Sequence, residues 1–169
     1  MARRSPQAEA LLITAVTDPG IGARFRALVH PEPTPGGCLL WTGAISGAGH
    51  GRFWLGRTEA GRSVAVIAHR FAWALAYGAE SMLTHPVIEH RVCDNPLCQQ
   101  PAHLHGSSIA ENTQAYYLRR GIIGNALRDV RGSRARAEAL RQAARSGRSV
   151  TDAEQAGTCE VDQRQTPLF

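Results

Sequence analysis

The sequence predicts a mixed α+β protein of short antiparallel strands with helical extensions at both ends. Short apolar runs separated by Gly-rich or polar turns indicate strands between residues 38 and 67. Helical patterns flank this region on both sides. A loop with Cys93, Cys98 and His103 at equal spacing lies between a further short strand and a capped helix. Thiols and an imidazole this close together suit one tetrahedral metal ion, so the loop is expected to be stapled by a structural metal.

The composition supports one domain with appendages, in a chain whose net charge is positive. The chain has 169 residues, of which 43% are hydrophobic and only 6% aromatic, so we expect the three tryptophans to anchor the core. A net charge of +5 favours a polyanionic partner, nucleic acid first and an anionic membrane surface second. No apolar run is long enough to span a bilayer. Cysteine usage does not resemble a secreted disulfide framework, and we expect a cytoplasmic protein.

Residues 1–36 are predicted to form an N-terminal helical extension and linker. An apolar segment after the initial arginines resembles a signal peptide, but Glu9 precedes it and Asp18-Pro-Gly ends it, so a short amphipathic helix over residues 6–17 is preferred. A second helix is expected to run through Phe25. The prolines and glycines of residues 31–37 then break regular structure.

Residues 37–120 are predicted to form the central domain. Strands are expected at 38–42, 51–55 and 63–67, followed by a helix over 68–77 with Phe71 on its packed face. A brief strand at 87–90 leads into the Cys/His loop. Ser108-x-x-Glu111 is a capping-box sequence, which predicts a helix to about residue 120 with Asn112 in its first turn.

Residues 121–169 are predicted to form an Arg-rich helical extension with a flexible C-terminal tail. The segment from Arg119 to Arg148 contains nine arginines against only Asp129 and Glu138, with a helix expected over 133–145. Taken alone, this stretch is either a solvated helix face or a DNA-binding arm. The last twenty residues are acidic and polar, and are expected to lack fixed structure.

The three loop donors need a fourth ligand to close a zinc site. Cys38 is the preferred candidate because it lies beside Gly37 in a predicted strand. His105 and Cys159 are the competitors, and Cys159 more often would be an incidental thiol of the tail. The alternative for the loop itself is two buried thiols and a surface histidine.

The motif Cys93-x4-Cys98-x4-His103, with His90 before it and Asn112 after it, resembles the ββα-metal (His-Me finger) nucleases. This is the HNH endonuclease superfamily, in particular its zinc-bearing phage HNH and His-Cys box homing endonuclease branches. Residues 37–43, 49–53 and 68–70 look like the N-terminal half of the same domain. The resemblance covers roughly residues 37–120.

The resemblance implies a metal-dependent DNA endonuclease that hydrolyses phosphodiester bonds. His90 matches the general base, and Asn112 matches the helix amide that ligates a catalytic divalent ion, usually magnesium. Glu89 stands where many members place an aspartate as second metal ligand, and Arg52 matches a strand arginine that contacts the scissile phosphate. The cysteines and His103 named above match a closed structural zinc site. Beside a nuclease domain, the arginines are expected to contact phosphates, and the candidates are Arg119, Arg120, Arg128, Arg131 and Arg134.

The sequence gives less reason to assign a functional role to the remaining histidines of the central domain. His69 is expected to cap or pack at a helix start, and His50 and His85 to lie in surface loops, with His85 as the fallback base. Arg91 and Val92 separate His90 from the first loop cysteine, where the family commonly has one residue. In a strand, that extra residue either forms a bulge or turns His90 to the wrong face.

Two further hypotheses follow from the sequence. The chain is alternatively a non-catalytic, zinc-containing DNA-binding module whose active site has drifted at Val92. In addition, Gln165-Thr-Pro-Leu168-Phe169 resembles the short peptide by which bacterial replication and repair proteins bind the sliding clamp. That likeness makes Gln165, Leu168 and Phe169 candidate clamp-binding residues.

Overall fold

A computed structural model describes residues 6–164 and confirms a mixed α+β fold. In this range the α-helices are α1 Pro6–Thr17, α2 Pro19–Arg26, α3 Ala68–Tyr77, α4 Ala79–Thr84, α5 Ile109–Arg119, α6 Gly132–Ser146, α7 Val150–Gln155 and α8 Glu160–Gln163. The strands are β1 Arg52–Arg57, β2 Ser63–Ile67, β3 Val87–Glu89 and β4 His105–Ser107. None of these helices has the length and apolarity that crossing a membrane requires.

Four aromatic rings form the centre of the core. Phe25 lies 5.2 Å from each of the rings of Trp41, Phe53 and Phe71, measured between ring centroids. Since Phe25 belongs to α2, the N-terminal helices share one core with the central strands. Of the three tryptophans, only Trp41 is fully buried, whereas Trp54 is 48% exposed, so the expectation that all three anchor the core is wrong.

The N-terminal helices begin and end close to where the sequence predicts. The first spans Pro6–Thr17 as expected and buries Leu12 and Ala15. Asp18 then caps α2: its side chain accepts hydrogen bonds from the backbone amides of Gly20 and Ile21, with proline at the first helical position.

The first sheet is the antiparallel pair β1 and β2, which leads directly into α3. Arg52 pairs with Ile67 at one end of the two strands, and Arg57 pairs with Ser63 at the other. The register is irregular between Trp54 and Gly56. The strand expected at 38–42 is reduced to isolated bridges, of which one joins Leu40 to Cys98. The segment bonds to residues 28–30 on one side and to the Cys/His loop on the other, and not to β1 or β2.

The second sheet is the antiparallel pair β3 and β4, and α5 follows it directly. Glu89 pairs with His105, which was not predicted as a strand residue. The capping box at the start of α5 is confirmed: the Ser108 hydroxyl accepts from the Glu111 amide, and the Glu111 carboxylate accepts from the Ser108 amide. The local order is therefore strand, loop, strand, helix, with Asn112 in the first helical turn.

The C-terminal region is more ordered than the sequence suggests. The predicted helix over 133–145 is confirmed as α6. The expectation of an unstructured tail is wrong for residues 150–163, where α7 and α8 form. Arg128 fixes this end of the chain by donating two hydrogen bonds of 2.7 Å to the carboxylate of Asp162.

Candidate functional site

Cys38, Cys93, Cys98 and His103 form a compact group of potential metal ligands. One ligand atom from each lies within 4.8 Å of the other three. The Nδ1 atom of His103 is 3.7 Å from the Cys38 sulfur and 3.5 Å from the Cys98 sulfur. Around one tetrahedral zinc ion, a sulfur and an imidazole nitrogen would stand about 3.6 Å apart. The donor set and its spacing therefore fit a structural zinc site.

The backbone explains how Cys38 reaches a loop so distant in sequence. The Trp41 amide donates to the Leu97 carbonyl, and the Gln99 amide donates to the Leu39 carbonyl, so residues 38–41 run antiparallel to residues 97–99. Gly37 precedes Cys38 with a φ of +75°, and a Cβ on it would stand 3.3 Å from His103. A side chain at position 37 would therefore strain the backbone and crowd the imidazole.

The two competitors for the fourth ligand position lie elsewhere. His105 is exposed on β4, and the sulfur of Cys159 lies 4.0 Å from Nη2 of Arg128. Hydrogen bonds from the Cys93 and Cys98 thiols hold the pKa of Cys38 far below its ordinary value of 9.0. The same sharing raises the pKa of Cys93. Three sulfurs and one imidazole nitrogen within 4.8 Å of one another are a donor set that a metal ion would complete.

His90 lies between this cysteine group and an open cleft. Its Nε2 atom donates a hydrogen bond of 3.1 Å to the backbone carbonyl of Cys98. The ring is buried, and burial is the main cause that lowers the pKa of His90 to about 4. The imidazole is therefore neutral at pH 7, with its remaining nitrogen, Nδ1, carrying the lone pair.

The extra residue before Cys93 is absorbed in a turn. Strand β3 ends at Glu89, before His90, so no strand register passes through the insertion. The Asp94 amide donates to the His90 carbonyl, and Val92 is 65% exposed at the outside of this turn. The orientation of His90 is consequently set by the Cys98 carbonyl rather than by strand pairing.

His90, Glu89 and Asn112 line one cleft of about 530 Å³. Asn112 is half-buried in the first turn of α5, and its side-chain amide makes no hydrogen bond within residues 6–164. An amide held on a capped helix, facing a cleft and without a protein partner, is available to a ligand or an ion. Further residues that line the cleft are His50, Asp94, Tyr116, Tyr117, Arg119 and Arg134.

Glu89 is engaged by two arginines. One carboxylate oxygen accepts from Nη2 of Arg91 at 3.1 Å, and the other accepts from Nη2 of Arg119 at 3.2 Å. The Glu89 side chain is only 1% exposed, so these contacts replace its hydration. Arg119 also contacts Asp94 at 2.9 Å. In this arrangement Glu89 is an ion-pair partner, and its position does not fit that of a free metal ligand.

The arginines predicted to contact phosphate occupy different environments. Arg131 pairs with Asp129 at 2.7 Å, and Arg134 donates to the Ser46 carbonyl at 2.7 Å. Arg120 instead is exposed at the end of α5, with its guanidinium 5.6 Å from the centre of the Tyr117 ring. Arg52 is exposed on β1, outside the set of described residues that line the cleft.

Two histidines beside His90 were not predicted as site residues. His69 is buried at the start of α3, where its Nε2 atom donates to the Ile88 carbonyl at 3.0 Å. His50 lies in a loop as expected, but it is half-buried and lines the cleft rather than standing free at the surface. His85 is also half-buried, and its Nδ1 atom lies 2.7 Å from the Ser81 carbonyl. Sequence spacing gives no sign that His50, His69 and His90 meet, because they come from three different elements.

Comparison with known proteins adds no family assignment. No protein-family model matches the chain, and neither the curated proteins nor the solved structures contain a match.

Proposed function

We propose that this chain is a metal-dependent endonuclease of the HNH type, which hydrolyses phosphodiester bonds in DNA. The observation that carries the proposal is that His90 and Asn112 line the same cleft. They lie beside a Cys/His group fit for structural zinc, in a strand–loop–strand–helix order. The net charge of +5 supports a polyanionic substrate.

In this proposal His90 is the general base. Its Nε2–H is fixed on the Cys98 carbonyl, which leaves Nδ1 to accept a proton from a water molecule in the cleft. The low pKa caused by burial keeps the ring neutral, so the lone pair is present at physiological pH. Rigid attachment to the Cys98 carbonyl reduces the orientational freedom that a base on a mobile loop would have.

Asn112 would hold the catalytic divalent ion through its side-chain carbonyl oxygen. When bound, a magnesium ion supplies charge stabilisation to the phosphate and to the departing oxygen. A hard cation accepts an amide oxygen together with water and phosphate ligands, so one protein ligand suits an open site. Glu89 would join this set only if its pairs with Arg91 and Arg119 opened.

Cleavage of supercoiled plasmid by zinc-loaded protein tests the proposal. We expect nicked or linear DNA with magnesium and none without it. His90→Ala and Asn112→Ala should each cleave at least about 100-fold more slowly, since general base catalysis alone contributes about 100-fold or more. His105→Ala should cleave as the wild type does. His105 is a matched control because it is an exposed histidine on the adjacent strand. Zinc content and circular dichroism establish that each variant is folded. An inert wild-type protein that retains zinc would overturn the proposal.

The engagement of Glu89 by two arginines favours a second candidate, a non-catalytic zinc-containing DNA-binding module. Retarded migration of DNA in a gel without cleavage under any divalent ion would select this candidate.

Recruitment to the sliding clamp stays a separate proposal, because Gln165, Leu168 and Phe169 lie outside the described residues. Removal of residues 165–169 would abolish binding to a purified bacterial clamp if this peptide is the ligand, and would leave it unchanged otherwise.

A further inference from the structure

A second cluster of potential metal ligands lies beside the first and consists of imidazoles alone. His50 comes from the loop before β1, His69 from the start of α3 and His90 from the position directly after β3. One ring nitrogen from each lies within 4.8 Å of the other two. Three histidines from distant parts of the chain thus converge at the wall of the cleft.

Backbone carbonyls orient two of the three rings. His69 donates from Nε2 to the Ile88 carbonyl, and His90 donates from Nε2 to the Cys98 carbonyl. Both rings must therefore carry their lone pair on Nδ1. Metal-binding histidines commonly hold their second nitrogen on a carbonyl in this way, since that contact fixes the tautomer and the ring.

His69 has an unused buried nitrogen. Its ring is 4% exposed, and its Nδ1 atom has no hydrogen-bond partner within residues 6–164. A buried polar atom without a partner costs free energy, typically about 1–3 kcal/mol. A ligand that accepts the Nδ1 lone pair would remove this cost. The neighbouring rings are those of His50 and His90, and the Nε2–H of His90 is already held by the Cys98 carbonyl.

The ring spacing agrees with one shared ion. With nitrogens about 2.0–2.1 Å from a tetrahedral ion, the centres of three imidazoles would stand about 5 Å apart. The observed centre-to-centre distances are 4.3 Å for His69 and His90, 5.3 Å for His50 and His69, and 6.1 Å for His50 and His90. These values bracket the expected spacing, and a rotation of the partly exposed His50 would change only its own two distances, to His69 and to His90.

We propose that His50, His69 and His90 form a second metal site, which takes one borderline transition ion such as Zn²⁺, Ni²⁺ or Co²⁺. Imidazole nitrogens suit these ions, whereas magnesium prefers oxygen. The site differs from the Cys/His group in chemistry and in access: it has no thiolate, and His50 places one edge at the open cleft. Three protein ligands leave a fourth position for water or a substrate oxygen.

Occupation of this site has a consequence that rests on the proposed function. An ion bound to Nδ1 of His90 takes up the lone pair that would accept the proton from water. The imidazole cluster would therefore act as an inhibitory site, at which a transition ion suppresses magnesium-dependent cleavage.

Calorimetric titration with Ni²⁺ of untagged protein that carries one zinc ion per chain tests the site without any nuclease assay. We expect one Ni²⁺ per chain, bound without zinc release. His50→Ala should weaken Ni²⁺ binding by at least 10- to 100-fold, a loss comparable to that seen when the supporting shell of a metal site is damaged. His50 is the suitable position because it is half-buried in a loop, and the zinc content of the variant reports its folding. His105→Ala should bind Ni²⁺ as the wild type does.

His69→Gln provides a second variant and should also lose Ni²⁺ binding. The proposal is overturned if Ni²⁺ does not bind, if it binds only by displacing zinc, or if His50→Ala binds it normally. Plasmid cleavage in magnesium with added Ni²⁺ is a separate arm. If the protein binds Ni²⁺ but never cleaves DNA, the nuclease proposal is refuted and the second metal site stands. If it cleaves DNA but does not bind Ni²⁺, the metal site is refuted and the nuclease proposal stands.

Discussion

Nε2 of His90 lies 3.1 Å from the backbone carbonyl oxygen of Cys98, so the candidate base is attached to the loop that presents the zinc ligands. The contact lies on the main chain, which means that no side-chain substitution at position 98 removes it directly. Its geometry depends instead on the conformation of the loop. Zinc binding to this loop would therefore be coupled to the orientation of His90 through one hydrogen bond.

Loss of a zinc ligand should unfold the protein. Cys98→Ser removes a buried ligand at the junction of two segments, and structural zinc contributes on the order of 10 kcal/mol to folding. We expect loss of bound zinc by metal analysis and loss of the cooperative thermal transition by circular dichroism. Cys159→Ser is the matched control, because this thiol lies beside Arg128 and outside the ligand group. Equal zinc content in both variants would contradict the assignment.

Glu89→Gln separates an ion-pair role from a metal-ligand role. The change removes the charge that pairs with Arg91 and Arg119, which are 50% and 18% exposed. Because the partners are partly solvated, we expect a loss of about 1–3 kcal/mol in the free energy of unfolding. If the role is ion pairing alone, the magnesium concentration for half-maximal cleavage stays unchanged. A marked rise in that concentration would assign Glu89 to the catalytic ion instead.

The arginines of the C-terminal half should divide into DNA-contacting and structural groups. Arg120 has no acidic partner within residues 6–164, so Arg120→Ala should weaken DNA binding and reduce the slope of log affinity against log salt by about 1. Arg131 is bound to Asp129, and Arg131→Ala should lower thermal stability with little effect on that slope. Fluorescence anisotropy over a salt series measures both. Identical slopes for the two variants would contradict this division.

The ion pair between Arg128 and Asp162 predicts acid sensitivity of the C-terminal helices. Hydrogen bonds from Arg128, and secondly from the Gly124 amide, lower the pKa of Asp162 below its ordinary value of 3.8. A depressed carboxyl pKa adds stability above the unfolded pKa, and this stability is lost as the pH falls below about 4. Hydrogen exchange in α7 and α8 should therefore accelerate in that range. In Asp162→Asn the same helices should exchange rapidly already at pH 7, with a flatter pH dependence.

Local signals in the sequence predicted the elements that local chemistry determines. Proline at the start of α1, the Ser108–Glu111 capping box and Gly78 after α3 each act within a few residues, and all are found as predicted. The spacing of Cys93, Cys98 and His103 likewise predicted that these residues lie together, because a short loop can turn all three inward.

Features that depend on distant partners were missed. Residues 38–42 are predicted to form a strand, but their hydrogen bonds are divided between residues 28–30 and the Cys/His loop. The acidic C-terminal segment read as unstructured because its partner Arg128 lies in another segment. His50 and His69 gave no signal for the same reason, since their meeting with His90 depends on how β1, α3 and β3 pack.

The position of Cys38 in the sequence affects the order of folding steps as well as the final structure. Between positions 38 and 93 the chain forms the first sheet, α3, α4 and β3, so an ion bound by Cys38 and the loop ligands would close a long loop that contains all of these elements. Closing such a loop costs entropy that is recovered only when both ends are in place. β3, β4 and α5 can assemble from residues that are close in sequence, whereas Cys38 can join the other three ligands only after the chain between them has folded. Zinc availability would then control the last step of folding, and in a cell short of zinc the chain would not reach its cooperatively folded state.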